Sequence, residues 1–173
     1  VIHKDIKPQN ILIHPETKHI QLTDFSLASQ LPKEKPALNN PHVIEGTLAY
    51  LSPEQTGRMN RGIDYRADFY AVGVTFYELL TGQLPFQTTD PMALVHCHIA
   101  QPPPLLSAVN PAVHKGLCAL VLKLMSKTAE DRYQSASGLR YDLEFCQQVW
   151  QQQGQSSYFE LGERDVCDRF TIP

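Results

Sequence analysis

The sequence predicts a mainly α, α+β domain. Three observations carry this: one helical run with almost no polar face, three amphipathic helical patterns after it, and a single short hairpin near the start. The hairpin comes first. Ile11-Leu12-Ile13 and Ile20-Gln21-Leu22 flank the polar turn His14-Pro15-Glu16-Thr17-Lys18-His19, two short apolar runs around turn-forming residues. Residues 26–45 then lapse into Pro, Lys, Glu and Asn, the composition of an exposed connection. Asp64 is placed to cap a helix that runs to Thr81 and stops at Gly82. Phe69, Val72, Val74, Phe76, Tyr77 and Leu79 leave that helix little polar surface, so it is expected at the centre of the fold. Helices are expected over 92–100, over 112–125 with Leu117, Leu120, Val121 and Leu124 on one face, and over 135–150 with Leu139, Leu143, Cys146 and Trp150 on another. Pro102-Pro103-Pro104 separates the first two of these. The Gln-rich stretch after Trp150 and the aperiodic tail to Pro173 read as a linker, which divides the chain into a domain over 1–150 and a connection over 151–173.

The chain has 173 residues, 42% of them hydrophobic and 19% charged, enough apolar material for one core. Fifteen Lys and Arg against 18 Asp and Glu leave a net charge of -3, and no basic run tracks a phosphate backbone, so nucleic acid is not an expected partner. No run approaches the roughly 18 consecutive apolar residues of a membrane span, so no membrane is expected either. Cys97, Cys118, Cys146 and Cys167 are scattered, and the first three sit in apolar helical patterns, which suits a reducing, cytoplasmic setting. His114 and Cys118 stand four apart on a helical pattern, but no second pair with ligand spacing accompanies them, and His96 and His98 point to different helix faces. Core or solvated side chains account for them better than a zinc site does. The chain opens on Val1, not Met, and directly on a motif, as expected of a piece of a longer protein.

That motif is His3-Lys4-Asp5-Ile6-Lys7-Pro8-Gln9-Asn10. Thr23-Asp24-Phe25-Ser26 follows it, and then Gly46-Thr47-Leu48-Ala49-Tyr50-Leu51-Ser52-Pro53-Glu54. Taken singly, Asp5, Asn10 and Asp24 would be turn or capping residues, and Glu54 and Arg132 ordinary surface charges. In this order and spacing the three segments resemble the catalytic loop, the metal-binding Asp-Phe-Gly and the Ala-Pro-Glu end of the activation segment of protein kinases. The resemblance extends through Asp68 and Glu130-Asp131-Arg132-Tyr133 to about Trp150. It implies the C-terminal lobe of a kinase with a small hairpin at the catalytic loop and the N-lobe absent from this chain. The stretch from Ser52 to Arg61, with Asp64-Tyr65-Arg66-Ala67-Asp68, is similar to the kinase domains of large bacterial sensor proteins that also carry ATPase, GAF and histidine-kinase modules.

Phosphoryl transfer asks a protein mainly to position groups and offset charge. The resemblance gives each residue a role of that kind. Asp5 would accept the proton of the substrate hydroxyl, and Asn10 and Asp24 would hold the Mg2+ that bridges the phosphates of ATP. Lys7 would offset charge at the transferred phosphate, and Leu12 would floor the adenine pocket. Lys7 together with Thr47, on the loop facing a protein substrate, is the serine/threonine pattern. His3, Glu54, Asp68 and Arg132 would be structural, with Glu54 and Arg132 a buried pair that ties the activation segment to the helices. Further partners implied are the chain's own N-lobe and downstream domains.

Four departures qualify the likeness. Lys4 stands where many kinases place an Arg, and a Lys lacks the guanidinium fork that grips a phosphorylated loop. Between Ser29 and Thr47 there is no Ser or Thr, so regulation by phosphorylation in the middle of that loop is not expected. Ser26 replaces the Gly after Asp24-Phe25, which restricts the backbone. Neither a G-x-G-x-x-G loop nor its partner Lys occurs in the sequence, so these residues alone are expected to be inactive. The rival expectation is a pseudokinase or truncated remnant that binds proteins without catalysis.

Overall fold

A computed structural model describes residues 1–31, 33, 48–153 and 160–166. Thr47, Cys167 and most of the loop expected over 26–45 lie outside the described residues. The described chain is mostly helical with one small antiparallel sheet. Strands β1 (Ile11–Ile13) and β2 (Ile20–Leu22) pair in the register Ile11 to Leu22, Leu12 to Gln21 and Ile13 to Ile20, as the apolar pattern predicts.

Helix α1 (Arg66–Thr81) begins two residues after its expected cap. The Asp64 carboxylate still accepts from the Arg66 backbone N–H at 3.0 Å, and it also takes two bonds from the Arg66 guanidinium. At the other end Gly82, with φ of 74°, donates its N–H to Glu78 and closes the helix. Ala67, Tyr70, Val74 and Tyr77 are buried along one stripe, but Leu79 is 65% exposed. The expected all-apolar helix therefore has a solvent side. Gly73 sets the closeness of its main contact: a β-carbon there would lie 2.8 Å from Leu124 Cβ, so the helix backbone packs directly on α4 (Lys115–Leu124).

Helix α2 (Pro91–Ala100) is capped by the Asp90 carboxylate, which accepts from the N–H groups of Met92 and Ala93. A short helix that the triple proline had hidden, α3 (Leu106–Val109), follows it and buries Leu106. Helix α4 starts later than the expected 112, because the His114 side chain caps it by accepting from Gly116 N–H. Leu120, Val121 and Leu124 are buried as expected. Helix α5 (Ala136–Gln153) outlasts its expected end at Trp150. Its inner face is Leu139, Asp142, Cys146 and Val149, while Trp150, expected inside, is 56% exposed. Residues 160–166, expected to belong to a connection, lie against the helices. Among the described residues no helix is long and apolar enough to cross a membrane, and Cys97, Cys118 and Cys146 carry free thiols.

Two polar contacts hold the helices together from inside. Arg132, 1% exposed, makes a bidentate pair with Glu54 through bonds of 2.6 and 2.8 Å. Its remaining donors reach the carbonyls of Ser126, Arg66 and Lys127, and its guanidinium lies 5.0 Å over the Tyr70 ring. Nearby, the Tyr70 hydroxyl and Nδ1 of buried His98 share a hydrogen bond of 3.0 Å. Burial pushes the His98 imidazole down to about 4, with Lys127 adding repulsion.

Removing one member of a buried pair leaves the other charge unmatched, so Glu54→Ala is expected to cost about 3–5 kcal/mol, while Glu54→Leu with Arg132→Met costs less than either single change. Urea unfolding at neutral pH measures both. The His98 value lies below its unfolded counterpart, so the unfolded chain takes up the proton first as pH falls. Stability from this residue is complete above pH 6.5 and lost progressively toward pH 4, a loss of roughly 3 kcal/mol. His98→Gln is expected to flatten that part of the urea-midpoint profile.

Candidate active site

The segment from His3 to Asn10 is held from three sides. From α1, Asp68 reaches under it: one carboxylate oxygen accepts from the His3 N–H and the other from the Lys4 N–H, both at 2.8 Å. Burial pushes the Asp68 carboxyl above its ordinary value, and these two amides oppose the shift. Lys4 has φ of 69°, the left-handed region that non-glycine residues avoid, and the Asp68 bond fixes the amide at that corner. From the side, the Gln55 amide donates to the Lys4 carbonyl at 3.1 Å. Gln55 belongs to the 3-10 turn Pro53–Thr56 that also presents Glu54 to Arg132.

The third support is His3. Its Nδ1 accepts from the Asp5 N–H at 3.3 Å, which leaves Nε2 to donate to the Thr23 carbonyl at 3.1 Å. The imidazole thereby joins the residue before Asp24 to the loop that carries Asp5. Thr23 is tied again to Asn10, whose carbonyl accepts from the Thr23 N–H at 2.9 Å and from its hydroxyl at 3.1 Å. The Pro8–Asn10 3-10 turn, which feeds directly into β1, sets the angle of Asn10.

The carboxylate of Asp5 is the focus of this arrangement. Its Oδ2 accepts from Lys7 Nζ at 2.7 Å and from the Asn10 side-chain amide at 2.9 Å, and that amide also reaches the Asp5 carbonyl at 2.8 Å. Its Oδ1 is buried and has no hydrogen-bond partner among the described residues. A buried carboxylate oxygen with no donor carries a substantial desolvation cost, and here its position beside two fixed neighbours makes it an acceptor waiting for a donor. Because Asn10 spends its NH2 on Asp5, its amide oxygen faces elsewhere. Asp24, exposed and with φ of 58°, receives the Ser26 N–H and hydroxyl on Oδ1, and these bonds hold its carboxyl below the usual range. Its Oδ2 is not used by them. The oxygen set of Asn10 and Asp24 suits a hard divalent cation.

Thus His3, Asp5, Lys7, Asn10, Asp24 and Asp68 converge on one corner, with Glu54 and Arg132 anchoring the floor behind it. Leu12 lies exposed on β1 opposite Gln21. Beside the corner, a cavity of about 840 Å³ runs past Gln9, Tyr50, Glu78 and Phe86. On its wall the Tyr50 hydroxyl donates to the Glu78 carboxylate at 2.5 Å, and burial followed by that carboxylate raises the Tyr50 hydroxyl's value. The sequence pattern does not single out this wall, since Glu78 falls in a helix dominated by apolar residues. The one signal in the sequence is a lone carboxylate near the end of that run.

A protein kinase domain matches residues 1–147. The chain is 37% identical over 147 residues to the serine/threonine-protein kinase Pkn1 of Myxococcus xanthus, covering 83% of this chain and 21% of that protein. It is 36% identical over 143 residues to the serine/threonine-protein kinase PknB of Mycobacterium tuberculosis, covering 83% and 22%. It is also 51% identical over 98 residues to the hybrid signal transduction histidine kinase G of Dictyostelium discoideum, covering 57% of this chain and 3% of that one. The chain belongs to the protein kinase family, serine/threonine type. It spans about a fifth of the length of the two bacterial relatives.

The Asp68 carboxylate replaces water for two backbone amides at once, so Asp68→Ala is expected to lower stability by roughly 2–3 kcal/mol. Hydrogen exchange at the His3 and Lys4 amides should quicken in the same variant, while exchange in α2 stays as it was.

Proposed function

We propose that residues 1–150 are the C-terminal lobe of a serine/threonine kinase catalytic domain, which transfers the γ-phosphate of Mg-ATP to Ser or Thr hydroxyls of proteins in signal transduction. The observation that carries this reading is Asp5. With Oδ2 fixed by Lys7 and Asn10, its Oδ1, which has no partner among the described residues, is left to accept the proton of an incoming hydroxyl and to aim that hydroxyl's oxygen. Lys7, within reach of Asp5, offsets negative charge where the phosphoryl group passes. Asn10 and Asp24 would hold Mg2+ through the amide oxygen and the carboxylate described above. Bound there, the ion neutralises phosphate charge. Leu12 would floor the adenine pocket, and Thr47, outside the described residues, is by family resemblance the residue that would meet the protein substrate. The cavity along Gln9, Tyr50 and Glu78 shares Gln9 with the loop that carries Asp5 and would receive the flanking peptide.

The exposed apolar side chains of Leu12, Ile13, Ile20, Phe25 and Leu27 surround the corner. They support a seat for an N-lobe that brings the Gly-rich loop and its Lys, without which these residues would be inactive. The likeness to a hybrid histidine kinase supports a multidomain signalling parent, cytoplasmic in its kinase portion, with residues 151–173 leading toward the next domain.

In the full-length parent, Asp5→Asn is expected to lower phosphate transfer from Mg-ATP to a generic protein substrate by roughly 10²–10⁴-fold, with ATP affinity little changed. Transfer that persists in the variant would remove Asp5 from its role. Absence of transfer in both versions while ATP binds would turn the reading toward a non-catalytic, protein-binding pseudokinase.

A further inference from the structure

Residues 160–166 form no helix or strand, yet their polar groups are matched to the helical body. Gly162 adopts φ of 83°, and its N–H donates to Asp142 Oδ2 at 2.8 Å. Asp142 is itself 1% exposed and accepts from the Tyr133 hydroxyl on the same oxygen. Three residues on, the Asp165 carboxylate closes over the start of α5. Its Oδ1 accepts from the Ser135 N–H and hydroxyl, both at 2.8 Å, and its Oδ2 accepts from the Gln134 N–H at 2.6 Å. Backbone N–H groups at a helix start lack partners within the helix, and a carboxylate is the group that suits them.

Apolar and aromatic contacts accompany the polar ones. Leu161 packs against the cluster of Leu120, Leu124, Tyr133, Leu139 and Cys146, and the Arg164 guanidinium lies 4.4 Å over the Tyr141 ring. The receiving surface is shaped for this segment, since a β-carbon at Gly138 would come within 2.7 Å of Asp165 Cα.

The seat leads inward. Gln134, held by Asp165, accepts from the Tyr65 hydroxyl on its carbonyl at 2.6 Å and from Arg66 on Oε1 at 2.9 Å. Its Nε2 donates to the carbonyls of Arg132 at 2.7 Å and Ala129 at 3.0 Å. Arg132 is the residue that grips Glu54. Asp165, Gln134, Arg132 and Glu54 therefore form one connected polar path from the tail to the turn beneath the active-site corner.

We propose that residues 161–165 are a docked clasp, a Leu-Gly-x-x-Asp segment recognised in cis by the seat of Gln134, Ser135, Gly138 and Asp142. Its occupancy tightens the Arg132–Glu54 anchor. Three fixed features divide the recognition among them. Leu161 fills the apolar cluster, Gly162 supplies the left-handed turn, and Asp165 closes the two amides. Anything on the C-terminal side of the clasp that pulls it away would loosen the turn carrying Glu54 and Gln55.

The test does not depend on phosphoryl transfer. Amide hydrogen exchange is followed in the full chain and in its Asp165→Ala and Gly138→Val variants. The first removes the carboxylate, and the second blocks the seat while keeping it. Both are expected to speed exchange at Gln134 and Ser135 about tenfold or more, and to speed exchange at Gln55 and Gly57 by a smaller factor, with α2 unaffected. Should Asp165→Ala fail to fold, Asp165→Asn gives the same readout with the shape retained. Unchanged exchange at Gln134 and Ser135 would overturn the clasp. A change there with none at Gln55 and Gly57 would overturn its link to the anchor.

Discussion

The fold turns on the guanidinium of Arg132. A planar group with five donors in a buried position is stable only if nearly every donor is matched. Here the partners come from three separate stretches: Glu54, the Arg66 carbonyl, and the carbonyls of Ser126 and Lys127. Satisfying one side chain thus fixes the turn at 53–56, the start of α1 and the connection between α4 and α5 relative to one another. A purely apolar contact of similar size would tolerate sliding. The bidentate geometry does not, and this matters because Gln55, the neighbour of Glu54, carries a bond to the Lys4 carbonyl.

From that anchor, order passes to the corner proposed as the active site through backbone groups. Asp68 takes the amides of His3 and Lys4, His3 bridges Asp5 N–H and the Thr23 carbonyl, and Thr23 binds the Asn10 carbonyl twice. Of the side chains proposed for chemistry, Lys7 and Asn10 also hold Asp5 in place. Asn10 uses its amide NH2 to hold Asp5 while leaving its oxygen for another partner. The cost of the arrangement sits at Asp5 Oδ1, buried without a donor among the described residues. Active sites store unfavourable free energy in such places, and the closed network around this one prevents it from relaxing.

Much of this was legible in the sequence, for reasons that differ by element. The hairpin and its register follow from two apolar triplets around a polar turn, and the ends of α1 from Asp64 and Gly82, residues with local chemistry. The motif set picked out residues that the fold gathers at one corner, because its order is itself information. What was not legible depended on tertiary contact. Trp150 and Leu79 fit the helical period, yet both stay more than half exposed, Trp150 meeting the His114 ring edge-on. The short α3 was masked by Pro102-Pro103-Pro104, whose influence ends before Leu106. The packing of residues 160–166 was invisible, since Gly162 and Asp165 show no period and their partners lie in another stretch of chain. The wall of Tyr50 and Glu78 likewise joins two residues whose pairing no local pattern announces.

The double bond from Thr23 to the Asn10 carbonyl has a consequence for how such chains can diverge. It lies at the open end of the hairpin, whereas the turn at 14–19 lies at the other end, exposed and bound mainly to itself. Residues inserted into or deleted from that turn would lengthen or shorten the hairpin at its far tip, leaving the distance between the Asn10 and Asp24 oxygens untouched. The number of residues separating the two positions is therefore free to drift over evolutionary time, while their separation in space is not.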